Sequence, residues 1–310
     1  MEYRELGNTG MKVSNLSFGA SSLGGVFHSL NEGKGIEVVY TAIESGINFI
    51  DVSPYYGHLK AEIVLGKALK NIDRNKYYLS TKVGRYGYDG KNFWDYSAKR
   101  ATESVFESME RLNVDYVDLI NIHDIEFADL EALCKETLPA LVELRGQGIV
   151  KHVGITNLTL QHFKYIINHV PGGTVECILS FCHYCLNDDA LTDYLDYFEE
   201  KGIGVINASP FSMGLLTERG APDWHPAPKP LQDLCKKAAI YCKDKEKSIE
   251  QLAIQYAVSN PRIATTLFST TRSACVLQNM QWIEEPLDKE LLQEVQHILE
   301  PRFRDTWLNN

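Results

Sequence analysis

Four side chains of this sequence have the types needed for acid–base chemistry at a carbonyl or an alcohol, and each stands at or just beyond the end of a short apolar run. Asp51 ends Asn48-Phe49-Ile50, Tyr56 lies in the turn that follows, Lys82 ends the run from Tyr77 to Thr81, and His123 ends Val117 to Ile122. An unperturbed tyrosine hydroxyl titrates near 10, too high to exchange protons readily at neutral pH. A nearby ammonium favours the phenolate, and a carboxylate paired with that ammonium fixes its position and keeps it charged. A histidine beside the phenol can donate to a carbonyl oxygen or help relay a proton. Together Asp51, Tyr56, Lys82 and His123 read as a tuned acid/base with an oxyanion pocket. Any one of them alone is weak, because a strand-end acid is ordinarily a cap or solvated. Asp51 and Lys82 alone could be a structural ion pair. His58 and Glu62 lie close to Tyr56, but no His-x-x-x-His or Cys/His spacing builds a zinc site, and the chemistry needs no metal.

The four groups meet only if the strand ends meet. The chain predicts this with a repeated strand-then-helix unit. A hairpin, Tyr3 to Leu6 and Lys12 to Val13 around Asn8-Thr9-Gly10, precedes it. Strands are expected over Asn15 to Phe18, Asn48 to Ile50, Tyr77 to Thr81, Val117 to Ile122, Val150 to Ile155, Glu176 to Leu179, Gly204 to Ala208 and Ala264 to Phe268. Their apolar residues run without alternation, as in strands covered on both faces. Helices are expected over Gly35 to Ser45, Lys60 to Leu69, Ser97 to Arg111, Gln161 to Asn168, Leu191 to Glu200 and Ile249 to Ser259, and from a Thr137 cap to Arg145 with Pro139 in its first turn. An extra helix is read over Leu231 to Cys242, and two more close the chain, Ala274 to Ile283 and Lys289 to Leu299. The acidic residues Glu126, Asp129 and Glu131 read as a solvated helix start. Eight such units close into an α/β barrel, the (β/α)8 TIM barrel, with an N-terminal β-hairpin and extra helices, and its strand ends share one face. No Pro-, Gly- or Ser-rich linker splits the 310 residues, so one barrel domain over 1–310 is expected. Pro222 to Pro230 is read as a barrel loop.

A net charge of -10 and a pI near 5.4 leave no basic stripe to meet phosphates, which argues against nucleic acid as the partner. No apolar run approaches the roughly 20 residues of a membrane span. The N-terminal segment MEYRELGNTG has no apolar signal region, so a cytoplasmic location is the default. Seven cysteines are too sparse for a disulfide framework, and an odd count leaves a free thiol. Cys182-His183-Tyr184-Cys185 holds one Cys-x-x-Cys pair with no second pair, which favours loop packing over redox or zinc chemistry.

The motifs resemble the aldo-keto reductase superfamily from end to end. They are the hairpin, Asn48-Phe49-Ile50-Asp51 with Tyr56-Gly57, Ser80-Thr81-Lys82, Ile122-His123, Gly154-Ile155-Thr156-Asn157, and Ala208-Ser209-Pro210 with Gly214-Leu215-Leu216. The resemblance implies a barrel that binds a nicotinamide cofactor across its rim and passes hydride between nicotinamide C4 and a carbonyl carbon. It casts Tyr56 as proton donor or acceptor, Lys82 and Asp51 as its tuners, and His123 as the carbonyl orienter. It further implies that Thr156, Asn157 and Ser180 stand at the carboxamide. Ser209, Pro210, Phe211, Met213, Gly214 and Leu215 fall in the pyrophosphate-side loop. Ser269, Thr270, Arg272, Gln278 and Asn279 fall in the adenosine-side segment. Further patches, His123-Asp124-Ile125-Glu126-Phe127, Ser180-Phe181-Cys182-His183-Tyr184, Met213 to Glu218, Trp224-His225-Pro226-Ala227, and Leu299-Glu300-Pro301 with Thr306-Trp307, resemble one branch. It is that of the plant L-galactose dehydrogenases and related sugar 1-dehydrogenases. That branch implies oxidation of an aldose C1 hemiacetal to its lactone with NAD, with Tyr56 as the base.

Three features depart from the wider family. Ser180 stands where Gln is common, and Ala208 where an aromatic often stacks on nicotinamide. Ser269 and Cys275 align with the Lys and Arg that meet the 2′-phosphate in strict NADP enzymes. Losing two charge-assisted contacts of ~1.5–3 kcal/mol each favours NAD, while Arg272 keeps NADP open. His183, Trp224 and Trp307 are the candidate substrate residues, with packing of the extra loop as the other reading of the tryptophans. The resemblance leaves two alternatives: an NADPH-dependent aldehyde or ketone reductase, and a cofactor-binding regulatory subunit of the same fold. A small-molecule partner and a monomer are the family expectation.

Overall fold

The computed structural model describes residues 1–25, 31–88 and 91–307. Its strands are β1 (Tyr3–Glu5), β2 (Lys12–Ser14), β3 (Leu16–Gly19), β4 (Phe49–Asp51), β5 (Tyr78–Val83), β6 (Arg85–Tyr88), β7 (Lys91–Trp94), β8 (Val117–Ile122), β9 (Val150–Asn157), β10 (Cys177–Phe181), β11 (Gly204–Ala208) and β12 (Thr265–Phe268). The eight strands β3, β4, β5, β8, β9, β10, β11 and β12 are parallel neighbours in chain order, and β12 pairs β3 to close the barrel. These are the eight runs read from the sequence, so the (β/α)8 barrel stands. Each continuous apolar run is buried twice. One face meets the outer helices, and the other fills the barrel with Phe49, Leu119, Leu179, Ile206 and Leu267.

The β1–β2 hairpin plugs the amino end of the barrel. Leu6, Met11 and Val13 join the interior cluster, and the Asn8 backbone N–H donates to Gly202 O at 2.9 Å. Gly7, at φ 54°, lies so close to Gly204 that a Cβ there would run into its backbone nitrogen.

Two expectations change. The helix read from Thr137 begins at Leu130, where the Asp129 carboxylate accepts from the Glu131 and Ala132 N–H groups. A π turn, Leu133–Thr137, carries the chain into the helix Leu138–Gly146. Pro139 has no N–H to give and its ring crowds the carbonyl four residues back, so the preceding turn widens to take it. Thr137 is no cap; its hydroxyl donates to Tyr96 O at 2.5 Å. The antiparallel pair β6–β7 lies between β5 and the helix Ala98–Leu112 and was not expected. Among the described residues no helix is long and apolar enough to cross a membrane, and the seven cysteines are free.

Candidate active site

Asp51 and Lys82 leave the carboxyl ends of adjacent strands, with Asp51 in register with Ser80. Strand residues two apart share a face, so Ser80 and Lys82 both point to the barrel mouth, while Thr81 points outward. The Lys82 ammonium pairs with Asp51 Oδ2 and donates to Val52 O at 2.9 Å. Ser80 Oγ donates to Asp51 Oδ1 at 2.8 Å and accepts from Asn121 Nδ2 at 3.0 Å. Neither Asp51 nor Lys82 exceeds 4% side-chain exposure, so each depends on these partners for the solvation it has lost. Burial pulls the Lys82 ammonium down, and the attraction of Asp51 and Tyr56 more than offsets it, so the lysine titrates above its ordinary value.

Tyr56 comes back over this pair on the turn from Ser53 to Leu59. Its hydroxyl accepts from Lys82 Nζ at 3.3 Å. The turn cannot drift. A Cβ on Gly24 would stand 2.7 Å from the Tyr56 carbonyl carbon, and Gly57 meets the Gly24 backbone at φ 61°. Below it, the buried Glu62 of helix Lys60–Leu69 accepts from Thr81 Oγ1 at 2.7 Å and pairs with Arg111 Nε at 2.7 Å. Burial raises the Tyr56 hydroxyl above its ordinary value; the Lys82 ammonium pulls it back without cancelling that rise, and Asp51 and Asp124 add to it. At neutral pH the group is therefore a phenol.

His123 faces Tyr56 edge-on, with ring centroids 5.7 Å apart. Its Nδ1 lies 3.1 Å from Ser53 Oγ, which also accepts the Tyr55 N–H at 3.1 Å. Ser53 is fully buried. With one N–H already received, its own O–H finds its acceptor in Nδ1, which leaves the imidazole proton on Nε2. Burial lowers the His123 pKa well below its usual range, and the Lys82 and Arg85 cations push it the same way. The ring is a neutral donor through Nε2–H. The sequence reading gave Ser53, Ser80 and Asn121 no role. For Ser80 the signal was its spacing of two from Lys82; Asn121 is a polar residue inside an apolar run, and Ser53 lies in the turn after Asp51.

Beside His123, Asp124 adopts φ 48° and pairs with Arg85. Thr156 and Asn157 end β9 and fasten this turn. Thr156 Oγ1 accepts the Asp124 N–H at 2.9 Å and donates to its carboxylate at 3.3 Å. Asn157 Oδ1 accepts the Glu126 N–H at 2.9 Å, and its amide donates to Thr159 O at 2.9 Å and lies 3.1 Å from His162 Nδ1. Ser180, in register with Asn157, is different: its buried hydroxyl has no protein partner among the described residues.

The loop after β11 turns through left-handed backbone at Ser209, Ser212, Met213 and Gly214. Residues held in this region persist where the surrounding structure over-determines them, and they cluster at ligand sites. Ser269 Oγ is bonded to Ser22 and Ser21, and Arg272 stands just before the exposed start of helix Ser273–Glu284 with no ion pair among the described residues. Asn279 is buried on that helix, and Gln278 half-buried beside it. A buried unpaired hydroxyl at the mouth, a left-handed loop and a free guanidinium at a helix start fit a nicotinamide dinucleotide.

The three candidate substrate residues part company. His183 puts Nδ1 2.9 Å from Asp188 Oδ2 and Nε2 2.7 Å from Leu158 O, so neither ring nitrogen is left for a sugar. Trp307 is buried edge-on against His225 at 5.1 Å, and Trp224 lies parallel to that ring at 6.2 Å. His225 Nε2 in turn donates to Ser212 O at 3.0 Å, so the three rings buttress the left-handed loop. Cys182 and Cys185 are buried thiols; burial pushes Cys182 up to about 12 and Cys185 well above its ordinary value, which suits packing and not redox exchange.

Residues 15–300 match the model of the Aldo/keto reductase family. The chain is 46% identical to L-galactose dehydrogenase of Arabidopsis thaliana, covering 99% of this chain and 97% of that one. It is 32% identical to D-arabinose 1-dehydrogenase of Saccharomyces cerevisiae over 72% of this chain and 68% of that protein. Among solved structures, an aldo-keto reductase of Bacillus halodurans in its holo form superposes with a TM-score of 0.80 at 27% identity, covering 96% of each chain.

Proposed function

Since this chain belongs to the aldo/keto reductase family, a family of nicotinamide-dependent oxidoreductases, we propose that it oxidises the anomeric carbon of an L-galactose-like aldose to the lactone. One observation carries the substrate class: 46% identity that extends over essentially the whole of both chains to a protein named for L-galactose oxidation. Ser180, the Ser209–Leu215 loop and the Ser269–Asn279 segment would hold the cofactor, with NAD the better fit because Ser269 is already bonded to Ser21 and Ser22. When bound, that cofactor supplies the hydride acceptor.

The chain's own residues handle the proton. His123 Nε2–H donates to the C1 oxygen and orients it. Tyr56 Oη exchanges the C1 hydroxyl proton, and Lys82 Nζ stabilises the phenolate each time it forms. Asp51, held by Ser80, keeps Lys82 charged and aimed. A second reading has its own support: Tyr56 is a phenol at neutral pH, the form that gives a proton, which suits carbonyl reduction. Both readings share the machinery and differ in direction and cofactor.

The test is initial-rate absorbance at 340 nm with L-galactose, L-fucose and D-arabinose, each with NAD and with NADP, beside reduction of a simple aldehyde with NADPH. Turnover of a sugar with NAD, abolished in Tyr56→Phe, is the expected result. Turnover only in the reductive direction with NADPH, or normal turnover by Tyr56→Phe, overturns it.

A further inference from the structure

The tetrad accounts for the reacting carbon and its oxygen, but it leaves a buried ion pair beside them without a task. Asp124 immediately follows His123, and its left-handed backbone swings the carboxylate back toward the mouth. Oδ1 takes the Thr156 hydroxyl, and Oδ2 takes Arg85 and stands 3.7 Å from His123 Nε2. The turn's carbonyls are also held, since Tyr96 Oη donates to both His123 O and Asp124 O. The Arg85 guanidinium lies 4.0 Å over the Tyr55 ring, with Phe127 at 5.4 Å and Trp94 at 5.7 Å, and it donates to Tyr55 Oη at 3.1 Å. Side-chain exposure is 6% for Asp124 and 13% for Arg85. A buried pair of this kind is a poor route to stability, because desolvation offsets most of the attraction.

We propose that Asp124 and Arg85, with Tyr55 and the faces of Trp94 and Phe127, form a sugar subsite in which the Asp124 carboxylate accepts the hydroxyl on the carbon next to the reacting one. The inference rests on the aldose reading above. Oxygens on neighbouring carbons of a sugar stand about one hydrogen bond apart. A C1 oxygen on His123 Nε2 therefore brings the C2 hydroxyl to the neighbouring Oδ2. A charged acceptor held from both sides makes a stronger bond than a neutral one, and its orientation is set before the sugar arrives. The aromatic rings offer the flat apolar wall that the C–H face of a pyranose needs, next to the few polar groups that fix its orientation. An aldehyde without the second hydroxyl leaves a buried carboxylate underpaired, which is how a polar site rejects an analogue.

The experiment compares L-galactose with 2-deoxy-L-galactose, using NAD and either the wild type or Asp124→Asn. In the wild type, kcat/KM for the deoxy sugar is expected to be at least about tenfold lower, the scale of a lost charge-assisted hydrogen bond. In Asp124→Asn the two sugars are expected to come within about threefold of each other, because the charge that separated them is gone. NAD affinity, read by tryptophan fluorescence, is expected to stay the same. Equal use of both sugars by the wild type overturns the proposal without any variant, so it remains open to refutation even if Asp124→Asn does not fold. An unchanged preference in a folded Asp124→Asn overturns it too. A wild type that oxidises no aldose with either cofactor refutes the aldose reading itself, an outcome visible before any comparison of the two sugars.

Discussion

At the scale of single residues, two groups at the mouth carry opposite protonation statements. Tyr56 is raised because burial disfavours the phenolate more than Lys82 favours it, so the protein alone holds a phenol through neutral pH. Because the hydroxyl titrates above its ordinary value near 10, less than about one per cent of it is phenolate at pH 8. Absorbance at 295 nm, taken as wild type minus Tyr56→Phe, should therefore show no phenolate signal up to about pH 8. A difference signal rising below pH 8 would mean that Lys82 dominates burial. His123 is lowered for the complementary reason: burial and two cations both disfavour the imidazolium. Its tautomer hangs on the Ser53 hydroxyl. In Ser53→Ala nothing donates to Nδ1, the proton can move there, and Nε2 loses its role as donor. We expect kcat to fall by about 10- to 100-fold while NAD affinity holds, the range for one mispositioned proton-handling group. The histidine 15N shifts should report the tautomer change, and Ser53→Thr should restore both readouts. A Ser53→Ala protein with full activity and an unchanged Nε2–H would refute the assignment.

At the scale of elements, the decisive pieces are turns. Gly57 holds φ 61° against the Gly24 backbone, so the loop after β3 and the turn after β4 lock each other and aim Tyr56. Gly57→Ala adds a methyl to a left-handed residue where backbone stands in its path. A cost of about 1–3 kcal/mol is expected, seen as a lower melting temperature. A fall in kcat larger than the rise in KM should accompany it, because Tyr56 is displaced and the sugar's other contacts are not. Such turns mark the limit of what the chain discloses by pattern. The eight barrel strands were legible because burial on both faces leaves uninterrupted apolar runs, and Asp51, Lys82 and His123 stand out as ionisable residues that end three of them. The β6–β7 pair was not, since Arg85-Tyr86-Gly87-Tyr88 mixes a cation, aromatics and glycine and shows no apolar alternation. The acidic residues marked the helix start at Leu130, but its continuity into Leu138–Gly146 was hidden by Pro139, which reads as a first-turn proline and is absorbed by the π turn before it. Asp124 and Ser53 were equally hidden as functional positions. Their meaning lies in which side chains converge on His123, and sequence spacing does not carry that.

At the scale of the whole molecule, the barrel separates the face that reacts from the face that holds the fold together. Asp51, Tyr56, Lys82 and His123 stand at the carboxyl ends of the strands. The β1–β2 hairpin closes the opposite end, with Leu6 fully buried against Gly204 and the interior cluster. Leu6→Ala would open a cavity where the plug meets the barrel, and tight backbone contact at Gly7 and Gly204 leaves the site little room to collapse. A loss of about 2–5 kcal/mol follows. For a chain of this size that lowers the melting temperature by roughly 3–8 °C. The strand ends that carry the four groups are held by their own ladder and do not touch Leu6, so at 25 °C kcat and KM of the folded fraction should match the wild type. Tyr56→Phe should show the reverse: no turnover and a melting temperature close to the wild type's, because only one hydroxyl and one long contact to Lys82 are removed. Thermal melts and initial rates on both variants check the separation together. A Leu6→Ala enzyme that loses kcat at 25 °C while still folded would mean that the plug sets the position of the strand ends, and that the two faces are mechanically coupled through the barrel interior.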